Sequence, residues 1–458
     1  MKVLENAQWV EQQFSECDLG HKRRVDRLRY LANKMLDCPE GSIPTQNASW
    51  RDVKAAYRFF DCEDVTFDAV AEAHWQQTRD TKPGRYLLIS DTTDIDHYSH
   101  RATTGLSQLG KGTGRGMQLH SCLMVDASNE SIVGIAGASL NYRPIVPKGE
   151  TRTQRLNRSR ESEKWGNLVD DVGSPPPSSQ WIHVFDREGD QYEAMCYLKT
   201  HQSDWVIRVS KLNRNVETTE GTIIPLSKAI KPARVLGTYE LNLRARPNQS
   251  ARTAKIRVST LKVTFGKPRH ASRFLKKCEL QSIAVNIVVV EEYDAPKGVT
   301  PIKWVLQTSL PINNFDDAWN VIGYYELRWL IEEYHKVIKT GCSIESHALR
   351  TAERLEPLIG LISVIGVRLL ELKTISKREP DVKAANRIPA TWLAALKAIR
   401  SQINLATLTV KEFFRELAKL GGFLGRKNDG EPGWQTLWRG YHKLHMILLG
   451  IQYAAKIK

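Results

Sequence analysis

The spacing of apolar residues changes character near residue 85. Upstream, Val25, Leu28, Ala32 and Met35 recur every three or four positions, the period of one helix face. Ser49 offers a side-chain oxygen to the free amides of a helix start, so a second helix is expected over WRDVKAAYRFF. Downstream the pattern becomes short apolar runs: RYLLIS, then MQLHSCLMVDA and SIVGIAGASL around a turn-like SNE, then WIHVFD and DWVIRVS. Runs of this length bounded by polar turns are strands, and the middle pair reads as a hairpin. SPPPSSQ at 174–180 reads as a rigid loop before a strand. SIAVNIVVVEE and IKWVLQTSL return to buried-strand texture, and a long helix is expected from Asp316 to about Lys339. The last hundred residues read as helical around a loop at GRKNDGEPGW. The most apolar stretch, Leu355 to Leu372, contains Glu356, Pro357 and Arg368, so it is expected as a buried helix and not a membrane span. Strands mixed with helical segments imply an α/β core between helical flanks.

Charge adds a partner class. The 458 residues carry a formal charge of +15, which favours a polyanion. Nucleic acid fits best, ahead of an acidic membrane surface or an acidic protein. The excess is concentrated in two places. His21, Lys22, Arg23, Arg24, Arg27 and Arg29 crowd one helical segment, either a solvated face or a DNA contact. Residues 208–277 hold 17 Lys or Arg against 3 Asp or Glu, in runs such as KIRVSTLKVTF that read as strands with one basic face for DNA. The seven cysteines are scattered without a CxxC, which suits a reducing cytosol and argues against disulfides or structural zinc. The N-terminus lacks the apolar stretch of a signal peptide.

Three carboxylates stand out. Asp91 ends the run RYLLIS and Asp186 ends WIHVF, so both are expected at the rim of a sheet, where open α/β sheets bind ligands. In the expected helix, Tyr325, Arg328, Glu332 and Lys339 fall within about 60° of arc at ~100° per residue, with Lys336 on the same stripe. That face could be a solvent-facing ion-pair stripe. However, Trp329, Leu330 and Ile331 beside it point to burial, and buried charges need partners. A metal ion suits Glu332, and phosphates suit the cations. Three carboxylates can hold two Mg²⁺ ions, which clamp a phosphodiester for in-line displacement.

These motifs resemble the DDE transposases of the insertion-sequence-four family. The family signature Y-(2)-R-(3)-E-(6)-K is met at every spacing by YELRWLIEEYHKVIK, LLISDTTD matches the first aspartate block, and FDREGD matches the second. AAYRFF, PIKWVLQTS, LGGFLGRK and GWQTLWRGY extend the similarity over nearly the whole chain. The resemblance implies a ribonuclease-H-like core with a β insertion before the signature helix, which agrees with the 146-position separation of Asp186 and Glu332. It implies domains at 1–75 for DNA-end recognition, 76–370 for catalysis with the insertion at about 212–300, and 371–458 for dimerisation. It further implies that Asp91, Asp186 and Glu332 bind two Mg²⁺, for which Mn²⁺ can substitute. Tyr325, Arg328 and Lys339 would contact phosphates, with Lys336 beside them. Trp304 would stack on a flipped base near Arg208, with Trp329 lining the same pocket; the alternative for Trp304 is a plain core-strand residue. Gly189 stands where the family often has Ala, a departure expected to leave the chemistry unaffected.

The implied activity is excision of a bacterial mobile element through a hairpin intermediate, followed by joining of its 3′-OH ends to target double-stranded DNA. The implied assembly is a synaptic homodimer at the nucleoid in the cytoplasm. Phe413, Phe414, Leu417 and Leu420 follow a helical period and are expected either at the dimer contact or packed within the monomer. A non-catalytic DNA-binding protein and a stand-alone structure-specific nuclease are the rival readings.

Overall fold

The computed structural model describes residues 3–457 other than 48, 111, 144–148, 152–153, 155–159, 246–249, 269–272 and 427–428. Parts of the basic stretch and two residues of the GRKNDGEPGW loop therefore lie outside the described residues. The chain opens with helices α1 (Asn6–Phe14), α2 (Lys22–Asp37), α3 (Ile43–Gln46), α4 (Trp50–Phe59) and α5 (Phe67–Arg79). Leu28, Ala32 and Met35 are buried on one face of α2, and Ser49 caps α4 by accepting from the Asp52 amide.

Twelve strands join one mixed sheet among the described residues. The strands are β1 (Arg85–Asp96), β2 (Ser107–Gln108), β3 (Arg115–Asp126), β4 (Ile132–Asn141), β5 (Gln180–Phe185) and β6 (Asp204–Arg208). They continue with β7 (Asn215–Thr218), β8 (Ile223–Pro225), β9 (Arg234–Leu243), β10 (Arg252–Gly266), β11 (Ser282–Glu292) and β12 (Lys303–Thr308). The expected hairpin is β3–β4, turned through Glu130 at φ 57°. In one half of the sheet β4, β3 and β1 are successively antiparallel, while β1, β5 and β6 run parallel. The stretch between β6 and the next long helix does not form a separate body. Its last strand, β12, pairs antiparallel with β6 and carries the sheet on through β11 and β10 to β7 and β9.

Helices cover both faces. α6 (Lys164–Val172) and α7 (Tyr192–Thr200) pack together on one, with Gly166 admitting the Tyr197 ring. On the other lie α5 and α10 (Ala352–Arg378), the buried helix expected from Leu355–Leu372. α5 and α10 are continuous helices through residues 75 and 370.

The long helix expected from Asp316 to Lys339 is broken. It consists of α8 (Phe315–Glu326), α9 (Trp329–Lys336) and a π turn over Val337–Gly341. At the break the amides of Arg328, Leu330 and Ile331 bond three residues back, to Tyr325, Leu327 and Arg328. Three-residue turns rotate each side chain further than α turns do. The single face drawn at a uniform period is therefore not kept.

α11 (Ala390–Ile399), α12 (Val410–Leu420) and α13 (Trp434–Ile457) complete the chain. Phe413, Phe414 and Leu417 are buried within this chain, and Leu420 is half-buried against the same core, so the intramolecular alternative holds for them. α12 and α13 approach so closely that a Cβ on Gly440 would lie 1.9 Å from the Leu417 carbonyl oxygen. Among the described residues no helix is long and apolar enough to cross a membrane, and all seven cysteines are free thiols.

Candidate active site

Strand register brings the first two carboxylates together. β1 and β5 pair in parallel up to Ser90 opposite Phe185, so Asp91 and Asp186 are the next residues on adjacent strands. Asp91 does not end its strand, as the apolar run had suggested. β1 continues to Asp96 on its pairing with β3, and only the parallel neighbour stops. Asp91 Oδ1 accepts from the Thr92 amide at 2.8 Å, and Asp186 Oδ1 accepts from the Glu188 amide at 2.7 Å.

Arg328, at the helix break, reaches two of the three acids. Its Nη1 lies 3.3 Å from Asp91 Oδ2, and its Nη2 is ion-paired with Glu332. Burial raises the Asp91 carboxyl to about 6; the Thr92 amide and Arg328 oppose that rise, while the charges of Asp186 and Glu332 add to it. Glu332 is more than half exposed.

The donor chemistry suits a hard divalent cation: carboxylate oxygens from three elements, with no thiol among them, in a negative field that disfavours ionisation of Asp91. As they stand, no three His, Cys, Asp or Glu side chains among the described residues are gathered closely enough to hold a metal ion. Arg328 pairs with two of the three acids instead.

An aromatic and cationic row leads away from this centre. Tyr325 is buried, with the Arg328 guanidinium 6.0 Å from its ring centre. Trp304, on β12, meets Tyr325 edge-on at 5.2 Å, and Arg208, at the end of β6, lies 6.0 Å from the Trp304 ring. Six of the ten residues singled out in the sequence, Arg208, Trp304, Tyr325, Arg328, Asp91 and Glu332, are thus in a continuous chain of contacts, and Asp186 adjoins Asp91 by strand register. Trp329, Lys336 and Lys339 are not part of it. Trp329 is exposed, not buried, and sits 5.2 Å from Lys377 of α10. Lys336 is exposed next to Glu333 and Lys373. Lys339, on the π turn, pairs with Glu345 at 3.0 Å. Because the helix breaks at Leu327–Arg328, Trp329 turns toward α10 and away from the Trp304 group.

The cations of β10 and β12 are largely engaged. Arg252 pairs with buried Glu292, Arg257 and Lys303 with Glu291, and Lys255 with Asp294. The acids stand at 291–294, outside the segment whose charge looked one-sided, so part of that excess holds the sheet together.

Sequence reasoning missed Asp190. It is 1% exposed and accepts from the Ser210 amide (2.8 Å) and hydroxyl (3.0 Å), Gln307 Nε2 (2.8 Å) and Arg214 (2.9 Å). It ties the turn carrying Asp186 to β12 and to the residues after β6. The only signal was its place in FDREGD, because its partners are 20 to 117 residues away. Gly189, in the same turn, is tightly packed. A Cβ there would lie 2.6 Å from the Phe185 Cβ, too close without a shift of the turn.

Three family models match the chain: Transposase DNA-binding over residues 6–65, Transposase DDE domain over 182–365, and Transposase Tn5 dimerisation domain over 364–458. The DDE match contains Asp186 and Glu332 and begins beyond Asp91, which joins them through strand register. With a DNA-binding, a catalytic and a dimerisation unit in that order, the chain belongs to the DDE transposases, in their Tn5-like, insertion-sequence-four branch.

Proposed function

We propose that this DDE transposase is a cut-and-paste enzyme. It binds the inverted repeats of its element, excises the element through a hairpin intermediate, and joins the 3′-OH ends to target DNA. The carrying observation is the juxtaposition of Asp91 and Asp186 on adjacent parallel strands, with Arg328 linking Asp91 to Glu332. The order β4–β3–β1–β5–β6, three antiparallel strands followed by two parallel ones, supports a ribonuclease-H-like core with its insertion between β6 and α8.

In this reading Asp91, Asp186 and Glu332 hold divalent cations, which we assign as two Mg²⁺, with Mn²⁺ able to substitute. When bound, such ions activate the attacking oxygen and stabilise the leaving one. Arg328 then leaves the carboxylates for a DNA phosphate, an exchange of one anion for another that keeps its charge compensated. Tyr325 and Lys339 contact separate phosphates of the bound end, and exposed Lys336 adds to the attraction for the backbone. Half-buried Trp304 stacks on a flipped base beside Arg208, with its inner edge fixed by Tyr325. The exposure of Trp329 supports a DNA contact separate from that pocket.

Residues up to about 75 serve as the end-recognition domain, 76–370 as the catalytic core, and 371–458 as the dimerisation domain. Exposed Met446, Ile451 and Tyr453 of α13 are the residues that favour a contact between two copies. The enzyme then acts on the nucleoid, in the cytoplasm.

The test is cleavage of linear DNA carrying the sequences that flank the gene, with Mg²⁺, by the wild type and Glu332→Gln. A hairpin-ended fragment from the wild type alone supports the proposal. Binding without cleavage by either protein favours a non-catalytic DNA-binding role, and nicking without hairpins favours a simple nuclease.

A further inference from the structure

We infer that Glu345 is a positioning residue for Lys339, holding its ammonium where it meets DNA; the inference rests on the phosphate role proposed above for Lys339. Glu345 Oε1 lies 3.0 Å from Lys339 Nζ and also accepts from the Asp96 amide at 3.0 Å. Asp96 is the last residue of β1, five positions beyond Asp91, or about 16 Å along the strand at ~3.3 Å per residue. One strand therefore sets both the first catalytic carboxylate and, through Glu345, the distant lysine.

A lysine needs such a partner more than an arginine does. Its flexible stem leaves the charge unplaced, and its three donors allow one bond to Glu345 with two left for a phosphate. The backbone is shaped to make the pairing. Lys339 lies on the π turn, and Ser343 at φ 49° and ψ 41° turns the chain so that Glu345 comes back toward the lysine. π turns and left-handed residues cost free energy and are found where geometry matters.

The anchoring of this segment does not depend on the Glu345 carboxylate. His100 Nε2 bonds the Glu345 carbonyl oxygen at 3.0 Å, Thr103 Oγ1 donates to the Leu349 carbonyl at 2.7 Å, and Thr104 exchanges amide bonds of 2.9 Å with Arg350 and Ala352. Glu345→Gln can therefore remove the charge and keep the fold, with the amide oxygen still able to accept from Asp96.

The experiment is a double-mutant cycle of Glu345→Gln and Lys339→Ala, in single-turnover cleavage of the gene-flanking DNA ends at saturating protein. Salt dependence of end binding is measured in parallel. Glu345→Gln is expected to slow cleavage about tenfold in the wild-type background, the scale of a modest misplacement. Glu345→Asp should recover part of that loss, and Lys339→Ala should lower the salt slope by about 1. In the Lys339→Ala background, Glu345→Gln should change nothing further. Equal losses in both backgrounds overturn the positioning role and leave the Lys339 assignment standing. A Lys339→Ala enzyme with unchanged rate and salt slope overturns that assignment and this inference with it.

Discussion

Asp190→Asn is the sharpest test of how the site is supported. The wild-type carboxylate meets four donors with no access to solvent. Asparagine replaces one acceptor oxygen with a donor amide, so either Arg214 and Gln307 or the two Ser210 donors face an N–H₂ group. The charge of Arg214, four-fifths buried, also loses its counter-ion. Breaking a buried, hydrogen-bonded ion pair from one side costs about 3–5 kcal/mol. Urea unfolding followed by tryptophan fluorescence should show a loss of that size. The Ser210 amide should exchange with solvent about a hundredfold to a few thousandfold faster, because ~1.4 kcal/mol is a factor of ten. Pairing the change with Arg214→Met should recover much of the loss by removing the stranded cation. The reasoning fails if the single substitution costs less than ~1 kcal/mol and amide exchange is unchanged, or if the double variant is the less stable of the two.

Two further outcomes follow from the same geometry. Gly189→Ala should slow cleavage without preventing end binding, because the added methyl needs the Phe185–Asp190 turn to shift and Asp186 lies on it; a wild-type rate in single turnover would remove the steric argument. The buried imidazoles of His74, His120 and His183 are held neutral, their pKa values lowered by burial from 6.5 to about 3. Since the folded value is the lower one, this stability is present above pH 6.5 and is lost as pH falls toward 3. At pH 5 each withholds roughly 2 kcal/mol, an order-of-magnitude figure. Stability against urea should therefore fall steeply between pH 6.5 and 5, less so in His183→Phe, and a flat profile would contradict the buried neutral state.

Local signals carried much of this protein. The short apolar runs became β1, β3, β4, β5, β6, β11 and β12, and Ser49 capped its helix, because period and capping depend on neighbours a few residues apart. The candidate acids Asp91, Asp186 and Glu332 stood out for the same reason, each ending a run or completing a spaced motif. Tertiary structure decided what those residues do to each other. Parallel pairing of β1 with β5 put Asp91 beside Asp186 from 95 positions away in the chain, and no pattern in either run encodes that partner. The break at Leu327–Arg328 sent Arg328 to two carboxylates and left Trp329 exposed, which a uniform helical period could not express. The apolar stripe of α12 was real, but only the close approach of Gly440 to Leu417 decided that it is covered from within the chain. Asp190 looked like any turn acid until residues up to 117 positions away closed around it. Hydrophobic period and capping are written along the chain; charge pairing and burial between distant segments are settled only when the sheet brings them into contact.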